Sequence, residues 1–314
     1  MTDLTEPTTG SHADDLNAAP PEGAAARPEG DGAAPDGRPA PAVPLRAGRE
    51  ETDTVAAALA FTSGEAGEGA ARHDGPASRA ADLPIVPDAS GRVQVAAFDF
   101  DGTTIQGNSP VMLVRYLALR GMLRKSVIFR ILLWAGAYKV RLPQNESWVR
   151  GLVFSAFKGE PVAKVDAFLA RFYHEMIEGR FRPQAVAALR EHAEAGHAVV
   201  WVSASFEPII LEAMRDHYVH YQCSTRMRVD AEGDYTDQVE GLPVEGAEKM
   251  VALRRLCDAE FGAGNWELGW AYGDHHSDRP LLDAARVPYA VTPDRPLART
   301  ARREGWQVLD WEID

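Results

Sequence analysis

Short apolar runs recur through the chain at Val95–Phe100, 197–202, Leu268–Tyr272, Val287–Val291 and Trp306–Trp311. Each is bounded by polar residues or glycine and is too short for a helix, so each reads as a buried strand. Helical periodicity fills the gaps between them. A helix over 184–195 ends at Gly196, a residue suited to a C-cap, and others are expected at about 206–217, 247–260 and 297–303. Residues 221–229 and 234–239, separated by Glu232-Gly233, read as a hairpin or a small-strand excursion. Strands that alternate with helices predict an α/β fold with a doubly wound parallel sheet.

The alternation breaks once. From about 108 to 182 the pattern is helical throughout, with no strand. Met112, Tyr116, Leu119 and Leu123 recur at helical spacing, an apolar stretch follows at 127–140, and further helical patterns cover 146–157 and 161–178. Four helices are expected here, as an all-helical insert (108–182) in a core built from 91–107 and 183–314.

Charge is distributed unevenly along these pieces. Residues 1–90 hold 16 Asp and Glu against 6 Arg and no Lys, with Phe61 as their only aromatic. That composition buries too little apolar area to offset the entropy of ordering, so residues 1–90 are expected to be a disordered acidic segment rich in Ala, Pro and Gly. The span 107–180 is the opposite, with 12 Lys and Arg against 5 Asp and Glu. A basic helical insert can be a lid over an anionic substrate or simply a solvated face. No basic stripe interleaved with aromatics lies outside the insert, which argues against nucleic acid. No secretory or transit pattern opens the chain. Cys223 and Cys257 stand apart from any CxxC or histidine cluster, which fits a reducing, cytoplasmic setting.

Candidate chemistry collects where the apolar runs end. Asp99 and Asp101 close the first strand, Ser203 the second, and Asp274 and Asp278 the third, while Lys249 lies at the start of a helix. Ligands of open α/β sheets bind at these strand ends. A carboxylate there can attack a phosphoryl group. Since both reactants are anionic, an oxygen-loving cation such as Mg²⁺ is required. A lysine and a hydroxyl steady the non-transferred oxygens, and a second carboxyl moves the proton to and from the leaving oxygen and water. Asp99, Asp101, Ser203, Lys249, Asp274 and Asp278 supply these parts.

In this order and spacing the residues resemble the haloacid dehalogenase-like (HAD) hydrolases. Asp99-Phe100-Asp101-Gly102-Thr103-Thr104 matches the first motif, Ser203 the second, Lys249 the third and Gly273-Asp274-x-x-x-Asp278 the fourth. The insert between the first and second motifs has the place and size of a helical C1 cap. With Val202-Ser203-Ala204-Ser205 and Ala290-Val291-Thr292-Pro293, it resembles subfamily IB, the phosphoserine-phosphatase-like branch. The resemblance implies a Rossmann-like core, Asp99 as nucleophile and Asp101 as general acid/base. It implies phosphate binding by Ser203 and Lys249, with Thr103 ordering the turn and contacting phosphate through its backbone. It also implies Mg²⁺ on Asp99, Asp274, Asp278 and the backbone carbonyl of Asp101. An acid two residues after the nucleophile favours phosphatase over dehalogenase. Ser205 is expected to cap the following helix, and His275 and His276 to lie on a loop surface.

The expected substrate is a small phosphorylated metabolite. Phosphoserine phosphatases carry an acid where Asn108 stands here, so a free amino-acid phosphate fits less well. One alternative is a lipid-linked phosphate such as phosphatidylglycerophosphate. In that reading the apolar stretch 127–140, flanked by Arg124, Lys125, Lys139 and Arg141, contacts an anionic membrane surface peripherally. At about 14 residues this stretch is too short for the roughly 20 that span a bilayer. Another alternative is a non-catalytic phosphate-binding regulatory module. No protein partner can be inferred.

Overall fold

The computed structural model describes residues 78–122 and 146–311. The expectations for residues 1–77 and for the apolar stretch 127–140 lie outside the described residues. The main sheet has six strands: β1 (Val93–Phe98), β2 (Ala198–Phe206), β3 (Tyr221–Thr225), β6 (Trp266–Gly273), β7 (Val287–Val291) and β8 (Gln307–Leu309). All neighbours pair in parallel, in the order β3-β2-β1-β6-β7-β8. The chain therefore winds outward from β1 in one direction through β2 and β3, then returns to the other side at β6. The crevice beyond the carboxyl ends of β1 and β6 is the topological switch point, where such sheets bind ligands.

Burial of both faces follows from the strands' apolar composition. Every residue of β1 is buried, and successive side chains point to opposite sides. Ala96 and Phe98 join Val199 and Trp201 in a core shared with helices α4 (Pro183–Glu194) and α5 (Glu207–Met214). Val95 and Ala97 join Val200 and Val202 in a second core under α6 (Ala247–Phe261), α7 (Arg279–Ala284) and α8 (Arg295–Glu304). The predicted α/β class and parallel sheet hold. Gly196 ends α4 with φ +82°, which a glycine adopts at no steric cost.

Between β1 and β2 the described insert is helical: α1 (Ser109–Leu119), α2 (Glu146–Phe157) and α3 (Val162–Phe172). The predicted single helix over 161–178 is instead α3 followed by a π-turn (Tyr173–Ile177) and a 3₁₀ turn (Glu178–Arg180). Several of its basic residues are spent on neighbours. Arg120 pairs with Glu175 at 2.7 Å, Lys158 with Asp237 at 2.8 Å and Lys164 with Glu160 at 2.5 Å. For these three the ion pairs lie on an exposed face, as the solvated-face reading expects.

Two boundaries differ from expectation. The folded part begins ahead of Ser90: Ala80 is fully buried, Leu83 and Ile85 pack on the cores, and the Val86 N–H donates to Gly196 O at 2.8 Å. Leu83, Ile85 and Val86 alternate with Pro84 and Pro87 and so show neither strand nor helix periodicity, although Leu83 and Ile85 cover apolar surface. The predicted hairpin over 221–239 also divides. Tyr221–Thr225 pairs in parallel with β2 as the edge strand, and the hairpin proper joins β4 (Met227–Val229) to β5 (Tyr235–Val239). It docks on the insert: Tyr235 N–H donates to Glu160 O at 3.0 Å, Gly159 N–H to Tyr235 O at 2.8 Å, and Tyr235 Oη to Asp166 Oδ1 at 2.8 Å.

Candidate active site

The crevice at the switch point is built from loops that leave adjacent strands. Asp99 follows β1 directly, and its N–H still donates to Tyr272 O of β6 at 2.9 Å. The carboxylate is thereby fixed beside the end of β6, where Asp274 follows Gly273. The turn after Asp99 closes on itself, with the Thr104 and Ile105 N–H groups both donating to Phe100 O, and with Thr104 Oγ1 on Asp99 O at 2.6 Å. Lys249 enters from the first turn of α6. Asp278 comes from the 3₁₀ turn His276–Asp278 and is fully buried.

One carboxylate oxygen each from Asp99, Asp274 and Asp278 lies within 4.8 Å of the others. Lys249 Nζ sits between two of them, 2.8 Å from Asp99 Oδ1 and 2.6 Å from Asp278 Oδ1, with only 3% of the residue exposed. Three carboxylates against one ammonium leave uncompensated negative charge in a buried site. Burial pushes the Asp99 carboxyl well above the usual range, against the pull of Lys249. Burial and the charge of Asp278 push Asp274 up to about 7. Burial alone would lower Lys249, but Asp278 and Asp99 outweigh it and raise it. A divalent cation bound by oxygen ligands is the charge this cluster lacks, so the donor set fits Mg²⁺.

Asp101 faces a different set of partners. Its Oδ1 accepts from Ser109 N–H at 2.6 Å, and its Oδ2 from Ser109 Oγ at 3.0 Å and Ser205 Oγ at 2.5 Å. The two serine hydroxyls also touch each other. The side chain of Asp101 is therefore turned away from the carboxylate cluster, and only its backbone carbonyl is free to join a cation. Burial raises the Asp101 carboxyl, while the Ser205 and Ser109 hydrogen bonds pull the other way. Ser203 is fully buried at the end of β2 and its Oγ accepts from Ser205 N–H at 3.0 Å. A chain of bonds thus runs from Ser203 through Ser205 to Asp101. Thr103 is fully buried and its Oγ1 donates to Asp274 Oδ1 at 3.0 Å. The hydroxyl is thus spent on a carboxylate, which leaves the Thr103 backbone for any phosphate contact.

Two expectations change here. Ser205 does not cap α5, because Phe206 holds the N-cap position with no side-chain bond. A buried hydroxyl is drawn to the buried carboxylate 104 residues away, and no local pattern announces that. Asn108 is an exposed helix cap whose Oδ1 accepts from Val111 N–H at 3.0 Å, so its side chain orders the start of α1. His275 caps the 3₁₀ turn through Ser277 N–H and lies 3.5 Å from Asp294; it is a loop residue, as expected. The sequence reading missed Arg182. Its buried guanidinium donates to Trp311 O and, at 3.1 Å, to Gly102 O, tying the Asp-rich turn to the chain's last described residues. Its position just before Pro183 carries no signal of that role.

Gly102 gives a direct test of the cluster's tightness. It has φ +74°, and a Cβ there would lie 2.1 Å from Asp274 Oδ2. Gly102→Ala is expected to destabilise the protein by at least about 1 kcal/mol from backbone strain alone. It also displaces Asp274, so Mg²⁺ affinity measured by calorimetry should fall tenfold or more. Wild-type affinity in the variant would mean that Asp274 is not a ligand.

A family model described as haloacid dehalogenase-like hydrolase covers residues 96–283. The inhibition of morphological differentiation protein of Streptomyces azureus is 30% identical over 228 residues, covering 69% of this chain and 78% of its own. A probable phosphatase of Mycobacterium tuberculosis is 28% identical over 245 residues, covering 76% and 83%. A solved structure of a protein of unknown function from Bordetella pertussis Tohama I superposes with a TM-score of 0.63 at 24% identity, over 70% of this chain and 100% of that one.

Proposed function

This chain belongs to the haloacid dehalogenase-like hydrolases, in their phosphoserine-phosphatase-like branch, and on that premise we propose that it hydrolyses a small phosphomonoester through an aspartyl-phosphate on Asp99. The observation that carries the reading is the carboxylate cluster with Lys249 inside it and Asp101 held apart. Asp99 Oδ1 accepts from Lys249 and, at 2.7 Å, from Phe100 N–H. These two bonds orient the carboxylate and leave Oδ2 for attack on phosphorus. As the Asp99–phosphorus bond forms, the ester P–O bond breaks and Asp101 gives its proton to the leaving oxygen. Asp101 then takes a proton from water, which attacks the phosphorus, releases inorganic phosphate and restores Asp99. Lys249 and Ser203 hold the non-transferred oxygens. Bound by Asp99, Asp274, Asp278 and the Asp101 carbonyl, Mg²⁺ would supply the positive charge that lets two anions approach.

The two-carboxyl division of labour needs one carboxyl ionised and one protonated. Burial raises both carboxyls. The Lys249 ammonium, and Mg²⁺ when bound, would pull Asp99 toward its ionised form, while Asp101 is hydrogen-bonded only by neutral donors and can keep its proton. Relatives in this branch named for phosphoserine and for histidinol phosphate support a small metabolite ester as substrate. No helix among the described residues is long and apolar enough to cross a membrane. The expected result is hydrolysis of p-nitrophenyl phosphate that stops in EDTA and returns with added Mg²⁺. Full activity in excess EDTA would overturn the metal assignment.

A further inference from the structure

Two serines to which the motifs give no catalytic role converge on the Asp101 carboxylate. Ser109 and Ser205 are each fully buried, and neither hydroxyl has a structural duty that would otherwise explain it. Asn108 caps α1, so Ser109 does not. No side chain caps α5, so Ser205 does not either. Both hydroxyls instead reach Asp101 Oδ2, at 3.0 and 2.5 Å, while Ser109 N–H reaches Oδ1 at 2.6 Å. A hydroxyl–carboxylate bond of this length is charge-assisted and among the stronger kinds.

We propose that Ser109 and Ser205 are positioning residues that hold the Asp101 carboxyl in the single orientation from which it passes its proton to the leaving oxygen. The inference rests on the phosphatase reading above and extends it to two further residues. An aspartate carboxyl rotates broadly about its last torsion unless its oxygens are engaged. Here three donors from two separate segments engage both of them. A carboxylate offers about four lone-pair sites, and with three taken the remaining one, on Oδ1, is left for the proton in transit. Ser205 comes from the end of core strand β2, whereas Ser109 is the first residue of α1 in the helical insert. Asp101 is therefore held between core and insert, and any shift of α1 away from the core removes two of its three bonds.

Leaving-group dependence separates positioning from a general structural effect. An alkoxide leaving from glycerol 2-phosphate needs its proton in the transition state, whereas p-nitrophenolate, a far weaker base, departs without one. In Ser205→Ala the kcat/KM for glycerol 2-phosphate is expected to fall about 10- to 100-fold further than that for p-nitrophenyl phosphate, within the range that general acid catalysis supplies. Ser109→Ala should show the same selectivity to a smaller degree because its N–H bond to Asp101 survives. Ser205→Thr, which keeps the hydroxyl, should recover most of the ratio. Equal losses on both substrates, or no loss on either, in variants with wild-type circular dichroism would overturn the proposal. Asp101→Asn measured alongside separates the two levels. If it loses the alkyl substrate selectively and both serine variants do not, the positioning role alone fails. If Asp101→Asn itself lacks the selectivity, the acid/base assignment fails and the positioning role with it.

Discussion

Asp99→Asn is expected to lower kcat/KM for p-nitrophenyl phosphate by at least about 10³-fold, the scale seen when a covalent nucleophile is removed, while raising the stability of the metal-free protein. The two effects have opposite signs for one reason. Asn keeps the shape of Asp and an oxygen for Lys249, so the local bonds at 2.8 Å and 2.7 Å survive. It removes one of three clustered negative charges, two of them buried, against which Lys249 is the one ammonium in contact among the described residues. Burial and the charge of Asp278 push Asp274 up to about 7, and the charges of Asp278 and Asp274 add to the burial that raises Asp99. Removing the Asp99 charge relieves part of that cost and stabilises the fold. Strain of this kind, held at a reaction centre and removable by mutation, is the usual form of a stability–activity trade-off. Turnover and a thermal melt in EDTA check the two halves separately. Activity within tenfold of wild type would remove Asp99 as nucleophile. A melting temperature clearly below wild type would mean that the three carboxylates do not repel as the geometry requires.

Much of this site was legible because its chemistry is concentrated at strand ends. A short apolar run followed by Asp99 and Asp101, or by Asp274 and Asp278, sets a burial pattern and a charge pattern against each other within a few residues. That contrast is local, so the sequence exposes it. The parallel sheet was legible for the same reason, since its strands are buried on both faces and read as continuous apolar runs. What was not legible depends on contacts between distant residues. Ser205 and Asp101 are 104 residues apart, and Arg182 and Gly102 are 80 apart. A serine near a strand end looks the same whether its hydroxyl caps a helix or binds a carboxylate. The β4–β5 hairpin was expected; what was misjudged is that 221–225 belongs to the main sheet as an edge strand, and that the hairpin docks on the turn before α3 through backbone atoms that sequence does not distinguish. Residues 78–90 were misjudged because prolines break the periodicity of a segment that still buries Ala80.

Lys249→Met should be the most damaging single change to stability in the site, and its damage should depend on pH and metal. Lys249 is almost wholly buried between Asp99 and Asp278, and removing one partner of a buried ionic cluster typically costs about 3–5 kcal/mol because the remaining charges are left unpaired. The sign of the pH effect follows from which state holds the proton. Asp274 has an ordinary value of 3.8 and a folded value of about 7, so between these the folded protein keeps a proton that the unfolded chain has given up. Stability of the metal-free protein therefore falls as pH rises from about 4 to about 7, and the full penalty is present above that. Without Lys249, Asp274 keeps only the Thr103 hydroxyl and His275 among the described residues to favour its ionised form, so the fall should be steeper and should continue to higher pH. Mg²⁺ should recover part of the loss, by an amount that grows with the logarithm of its concentration over its dissociation constant. Denaturant unfolding at pH 5 and pH 8, each in EDTA and in Mg²⁺, measures all four corners. The variant should approach wild type at pH 5 and lie furthest below it at pH 8 in EDTA. Equal stabilities at pH 8 in EDTA would mean that the ammonium contributes nothing to the cluster. The site would then have to balance its carboxylates by protonation alone, which is incompatible with an ionised Asp99 at neutral pH.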